Sequence, residues 1–187
     1  MKKIFIVFFL GFFALNTQAQ FSAGATVGPQ IPLGAMADAM KIGFGFNIAG
    51  KYLLMDHLAL GLNIGYVSFG KKSIENVSSY STSGSTLPIT ALVEYQIGKG
   101  KVKPYVGVDL GLYRFSTTIN VVDKGLNSTL PISFSKMYFG FAPTAGALFE
   151  LNDKFSLCAN LKFNFIAATG GSRTYLGINI GAFYKIK

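Results

Sequence analysis

Apolar and polar residues alternate with period two through nearly the whole chain beyond its first 19 residues, the pattern of strands that show one face to an apolar medium. Phe21, Ala23, Ala25, Val27 and Ile31 alternate with Ser22, Gly24, Thr26, Gly28 and Gln30. A second strand over about 42–54 sets Ile42, Phe44, Phe46, Ile48, Tyr52 and Leu54 against Gly43, Gly45, Asn47 and Lys51. Leu58, Leu60, Leu62, Ile64 and Tyr66 mark the third, and Leu87, Ile89, Ala91, Val93, Tyr95 and Ile97 the fourth. The fifth runs from Val102 to Tyr113, the sixth over about Met137 to Leu151, the seventh from Phe155 to Phe165 and the eighth from Leu176 to Ile186. Helical spacing fits none of them as well. At about 10 to 14 residues, each is long enough to cross a bilayer at a strand's usual tilt.

The connections alternate in length. Turns at Asp56, Lys99 and Asp153 are short, whereas 32–41, 69–86 and 116–136 are long and polar, and a fourth connection, Ala167 to Arg173, is brief. Parity alone also allows a water-soluble sandwich, in which the apolar faces turn inward. Glycine decides between the two. Gly43, Gly45, Gly61, Gly65, Gly107, Gly111, Gly140, Gly146, Gly177 and Gly181 share the polar face, where a soluble sheet gains nothing from a residue that weakens strands. A narrow barrel interior filled by small and large side chains accounts for them. Tyr52, Tyr66, Tyr95, Phe139 and Tyr184 fall near strand ends, as interfacial aromatics do, although strands favour aromatics in any setting. Pro143 interrupts the sixth strand and predicts a bulge or kink over 142–144.

The first 19 residues are set apart. Lys2 and Lys3 precede an apolar run from Ile4 to Leu15, and Thr17-Gln18-Ala19 offers small residues at a cleavage site, so a signal peptide cut after Ala19 is expected. The run is too short against the roughly 20 residues of a retained spanning helix. Residues 20–187 then form the one domain. Without Lys2 and Lys3 the formal charge falls from +9 to +7. The basic residues are scattered through turns and strand ends rather than clustered, which suits a solvated or headgroup-facing role and not nucleic-acid binding. Cys158 is the single cysteine, so no intramolecular disulfide and no lipidated junction are available.

The signal end Gln18-Ala19-Gln20, the strand Ile42-Gly43-Phe44-Gly45-Phe46-Asn47 and the closing run Asn179-Ile180-Gly181-Ala182-Phe183-Tyr184-Lys185-Ile186-Lys187 resemble the small outer-membrane β-barrel domain family, of the OmpA, OmpX and OmpW kind and closest in style to Bacteroidetes versions. The resemblance covers essentially the whole mature chain. It implies an all-β, eight-stranded, antiparallel up-and-down transmembrane barrel in the outer membrane of a Gram-negative bacterium, long loops outside the cell. Its implied partners are outer-membrane lipid and lipopolysaccharide, the barrel-assembly machinery and an envelope or surface protein. The family spans adhesins, small-solute channels, assembly factors and anchors, so it fixes architecture and not role.

Candidate chemistry is sparse, and an enzyme is not expected. His57, the only histidine, falls in a short turn beside Asp56, at the end opposite the rim where barrel acyl-transfer and protease sites lie, and acid–base work needs partners in reach. One histidine and one distant cysteine give no metal-ligand spacing, and no cofactor is implied. Asn76-Val77-Ser78 and Asn127-Ser128-Thr129 match glycosylation sites only as Ser/Thr-rich loops often do, and Gly43-Phe44-Gly45 lacks the context of a phosphate loop. What remains is the lumen. By parity Lys51, Glu94, Asp109, Glu150 and Lys162 point inward, with Lys103 and Lys185 near the periplasmic mouth. An eight-stranded interior is barely wide enough for side chains, so these charges form either a paired network or a polar path for small solutes. Lys51, Glu94 and Glu150 are placed at similar depth and expected to join in one cluster closing the pore. Two roles stay open: a structural or surface-interaction barrel acting through its long loops, or a narrow channel for small or hydrophobic solutes.

Overall fold

The computed structural model describes residues 20–74, 79–98, 100–123 and 128–186. The signal segment, Lys99, Lys187 and all or part of both glycosylation-type motifs lie outside them. The elements are β1 (Gln20–Leu33), α1 (Ala35–Ala39), β2 (Lys41–Met55), β3 (Leu58–Ile74), β4 (Ser79–Gln96), β5 (Val102–Asp123), β6 (Ser128–Glu150), β7 (Phe155–Ala168) and β8 (Gly171–Ile186). Each strand pairs antiparallel with the next in sequence, and β8 closes on β1. Outward positions such as Phe44, Ile48, Leu62, Ile89, Val106, Phe141, Leu161 and Ile180 are exposed, forming an apolar belt around the barrel. The opposite parity is buried in the lumen, as alternation dictates.

The register fixes the shape of the barrel. Ser22 faces Lys51, which leads through Gly61, Leu92 and Asp109 to Ala142; the register carries across an interruption of the β6–β7 pairing to Asn164, which leads to Tyr175 and back onto β1 at Pro32, ten residues beyond the start. This stagger tilts the strands by roughly 35–45° to the axis. Rows at constant depth therefore slip against the ladder by about two and a half residues for every two strands crossed.

Three expectations are corrected. Segments 69–86 and 116–136 are mostly ladder rather than loop: β3, β4, β5 and β6 run for 17, 18, 22 and 23 residues, well beyond the predicted lengths. Above the apolar belt the outward face of a hairpin meets water, so the outward positions turn polar at Ser68, Ser85, Arg114 and Ser135 while backbone pairing continues. The first connection, 32–41, contains α1, too short for a helical period to register in sequence. Its Met36 and the following Met40 are buried in the barrel mouth, Gly34 turns the chain into it with φ 55°, and Lys72 Nζ donates to the Ala37 carbonyl at 2.9 Å. Finally, Pro143 interrupts the ladder at the expected place, but without the extra residue of a bulge. Register with β5 is continuous from Phe149 to Ser128, and only the β7 ladder lapses, between Phe141–Phe165 and Thr144–Lys162, before resuming in the same register. The missing N–H removes a bond from one side of the strand and leaves the other intact.

Inward glycines allow this tight wall. A Cβ on Gly181 would meet the carbonyl oxygen of Ala25 and lie 2.6 Å from the Cα of Thr26, both backbone atoms of the closing strand. Gly100 has nothing nearer than an oxygen at 3.9 Å. Gly181→Ala is therefore expected to lower stability by about 1–3 kcal/mol and Gly100→Ala to leave it unchanged, read as the temperature at which the folded barrel loses its compact gel mobility.

Candidate functional site

The lumen is filled in three layers. At the long-hairpin end Met36, Met40, Val67, Phe69, Tyr113, Phe115, Ile166 and Tyr175 form one buried apolar cluster, with Phe69 and Tyr175 packed edge to face at 5.4 Å between centroids. Below it lies a polar layer. Gln30 donates to Asn179, and Asn179 to Asn160, each at 2.9 Å, and Asn160 donates to the Tyr105 hydroxyl at 3.1 Å. Asn63 donates to Thr90 at 3.4 Å and Thr90 to Asp109 at 3.0 Å, while Tyr113 donates to Asn164 at 3.2 Å. At the short-turn end Ala49, Leu92, Tyr105, Leu148, Cys158 and Phe183 make a second apolar cluster.

All five predicted lumen charges are inside, and the structure divides them into three ion-paired groups. Lys51 Nζ lies 2.7 and 2.8 Å from the two carboxylate oxygens of Glu94, with both side chains more than nine-tenths buried. Lys162 Nζ lies 2.7 Å from Asp109 Oδ2. Glu150 Oε1 receives Lys103 at 2.8 Å and Lys185 at 2.6 Å. The expected single cluster of Lys51, Glu94 and Glu150 is thus corrected: Glu150 stands apart in the half-exposed mouth.

Barrel stagger explains the division. From Lys51 the ladder leads across Gly61 to Leu92, but the partner is Glu94, two residues further toward the short-turn end. From Asp109 it leads across Ala142 toward Asn164, but the partner is Lys162. From Glu150 it leads across Ser156 to Phe183, but the partner is Lys185. Each offset is the slip that keeps two residues at equal depth when two strands apart. By the same slip Glu150 falls below the level of Lys51. Each of these contacts also bridges a strand whose intervening inward residues are small: Ala59 and Gly61, Ala142 and Thr144, or Ser156. The Lys51 ammonium further sits 4.1 Å over the Phe183 ring, a favourable cation–π contact where water is excluded.

Sequence reading missed the apolar layers and Arg173. The signal was present, since Phe69, Phe115, Ile166 and Tyr175 all occupy inward parity, but a lumen read as polar gives no reason to look for it. Arg173 stacks on Phe115 at 4.0 Å and on Tyr138 at 5.6 Å. His57 lies in the β2–β3 turn, its ring centroid 6.0 Å from Tyr95. Among the described residues no group of His, Cys, Asp and Glu is arranged to hold a metal ion, and no helix is long and apolar enough to cross a membrane.

A closed antiparallel barrel with an apolar belt and a packed interior crosses the membrane on its strands; it is a transmembrane β-barrel. The model of the outer membrane protein beta-barrel domain matches residues 5–185, and the chain belongs to that family and to the outer membrane. The end carrying Gln20, Ile186 and the short turns is accordingly periplasmic, and the long hairpins are extracellular. No curated protein matches the sequence. A major outer membrane protein from Thermus thermophilus is similar in structure, with a TM-score of 0.66 at 17% identity over 90% of this chain and 99% of that one. Neisserial surface protein A gives 0.59 at 18% identity over 90% and 99%. Ail, the attachment invasion locus protein of Yersinia pestis, in complex with the heparin analogue sucrose octasulfate, gives 0.51 at 15% over 90% and 97%. Identities this low show the shared fold alone.

Lys51→Met is expected to strand one buried carboxylate, Glu94, and to cost about 3–5 kcal/mol. The double change Lys51→Met with Glu94→Leu removes both charges and is expected to recover most of that loss. Thermal gel-shift midpoints of the two proteins, side by side, check the difference; equal midpoints would mean that the pair is hydrated.

Proposed function

We propose that this protein is a non-conducting outer-membrane barrel whose role is structural or surface-interacting, exercised through the wall of strand that rises above the extracellular mouth. The supporting observation is the contrast between lumen and hairpins. The lumen is occupied along its length by the two apolar clusters, the amide layer and the three ion-paired groups. The periplasmic recess lined by Lys51, Lys103, Glu150 and Lys185 has a volume of only about 60 Å³. A 22-residue strand such as β5 rises about 50–60 Å at this tilt, roughly twice the ~25 Å apolar belt of such barrels.

The β3 to β6 strands therefore stand proud of β1, β2, β7 and β8. Above the last β6–β7 pair, Phe139 with Ala167, the β6 backbone has no strand on its β7 side among the described residues, and Ile132 and Phe134 are exposed on the extension. An unpaired edge with exposed apolar side chains is suited to contact with another envelope or surface protein. The alternative role, a conduit for small or hydrophobic solutes, requires the interior packing to part.

Purified protein in planar bilayers separates the two readings: no discrete conductance steps are expected, and steps of reproducible size would overturn the closed-barrel reading. In cells, replacing 116–135 by a tight turn is expected to abolish crosslinks to neighbouring envelope proteins while the barrel still assembles. Crosslinks unchanged by that replacement would count against the interaction role.

A further inference from the structure

We infer that the extracellular mouth holds a binding site for a small amphipathic anion, an organic carboxylate with a short apolar body, whose head group rests on Arg173. Between α1 and the β7–β8 turn lies a cavity of about 290 Å³, near the lower end of the roughly 300–1,000 Å³ typical of ligand pockets. Met36, Ala39 and Met40 line it from α1 and its C-terminal end, Phe115 from β5, and Arg173 from β8.

Arg173 is the observation that gives this cavity a ligand chemistry. Lys51, Lys103, Lys162 and Lys185, the cations inside the wall, each have a carboxylate partner. Arg173 is half-buried, and among the described residues no carboxylate lies within ion-pair distance of it. The rings of Phe115 and Tyr138 cover the guanidinium, while stacking leaves its N–H edge available to an acceptor. Asp38, the one acid on α1, is exposed and does not line the cavity. A metal cation would meet an uncompensated positive charge here. An inorganic anion would leave the methionine and phenylalanine surface unused, and a neutral apolar solute would leave the guanidinium without an acceptor. A carboxylate carrying a short chain satisfies both parts at once.

The test uses the full chain folded in lipid nanodiscs, titrated with hexanoate and separately with hexanol by ligand-observed NMR, with empty nanodiscs subtracted. Hexanoate is expected to bind saturably, and Arg173→Gln to weaken it at least about tenfold, the loss of one charge-assisted hydrogen-bonded contact. Hexanol is expected to bind more weakly and to be indifferent to that change. Ala39→Phe, which fills the cavity and keeps Arg173, is expected to remove hexanoate binding, whereas Lys71→Gln, at an exposed rim cation, leaves it unaltered. Absence of saturable hexanoate binding to the unaltered protein overturns the site, as does equal affinity for hexanoate and hexanol. Equal loss in Lys71→Gln would assign any binding to the general charge of the rim and overturn it too. Should Arg173→Gln fail to fold, Ala39→Phe and the hexanoate-to-hexanol comparison still decide: binding that survives Ala39→Phe places the anion elsewhere.

Discussion

An eight-stranded ladder closed on itself leaves an interior about as wide as the side chains that enter it, and the arrangement of this protein follows from that limit. A side chain pointing inward has three ways to be accommodated. It can be absent, as at Gly61 and Gly181; it can pack against other apolar groups, as Phe69 does against Tyr175; or it can find a partner for every buried polar or charged group, as Gln30 does in Asn179 and Lys51 in Glu94. An unpaired ammonium or carboxylate in this space would suffer the desolvation that neither water nor the apolar wall relieves. Glycine, aromatic and ion-paired positions are thus three answers to one steric and electrostatic problem.

The ion pairs show how closely sequence and barrel geometry are matched. A lysine long enough to cross the lumen's edge bridges a strand whose inward residues are small, and meets its acid at equal depth rather than along the ladder. Swapping Glu94 with Leu92 would keep composition and parity, yet place the carboxylate at the ladder neighbour of Lys51 on a different level. The stagger of the barrel is therefore written into the spacing of its charges as well as into its hydrogen bonds.

Much of the fold was legible because lipid imposes a strict code. Outward positions within the belt must be apolar, so the belt, the number of strands and the inward parity of Lys51, Glu94, Asp109, Glu150 and Lys162 can all be read directly. Where lipid ends, the code ends with it. The upper part of β5, rich in Ser and Thr, carries no sustained alternation to separate ladder from loop, and in β6 the apolar positions Leu130, Ile132 and Phe134 fall on the opposite parity from Met137 and Phe139. The five residues of α1 complete barely more than one helical turn. Pairing inside the lumen was legible only in part, because parity says which way a charge points and the stagger, invisible in one dimension, says which other charge it meets. Parity alone therefore groups Glu150 with Lys51 and Glu94, and nothing in the sequence singles out Arg173, whose partners are rings rather than acids.

The two ends of the lumen differ in a way that bears on what the barrel can do. Toward the periplasm the interior closes with ions held by short, directional contacts, and Glu150 shares its oxygen between two lysines in a half-exposed mouth. Toward the outside it closes with methionine and aromatic side chains supplied in part by α1, a one-turn element held by apolar burial and by the Lys72 contact to the Ala37 carbonyl. Dispersion contacts of flexible methionines tolerate rearrangement that a buried ion pair does not. Adaptability is thus concentrated at the extracellular face, beside Arg173 and the protruding strands, while the periplasmic half supplies the rigid base on which that face is held.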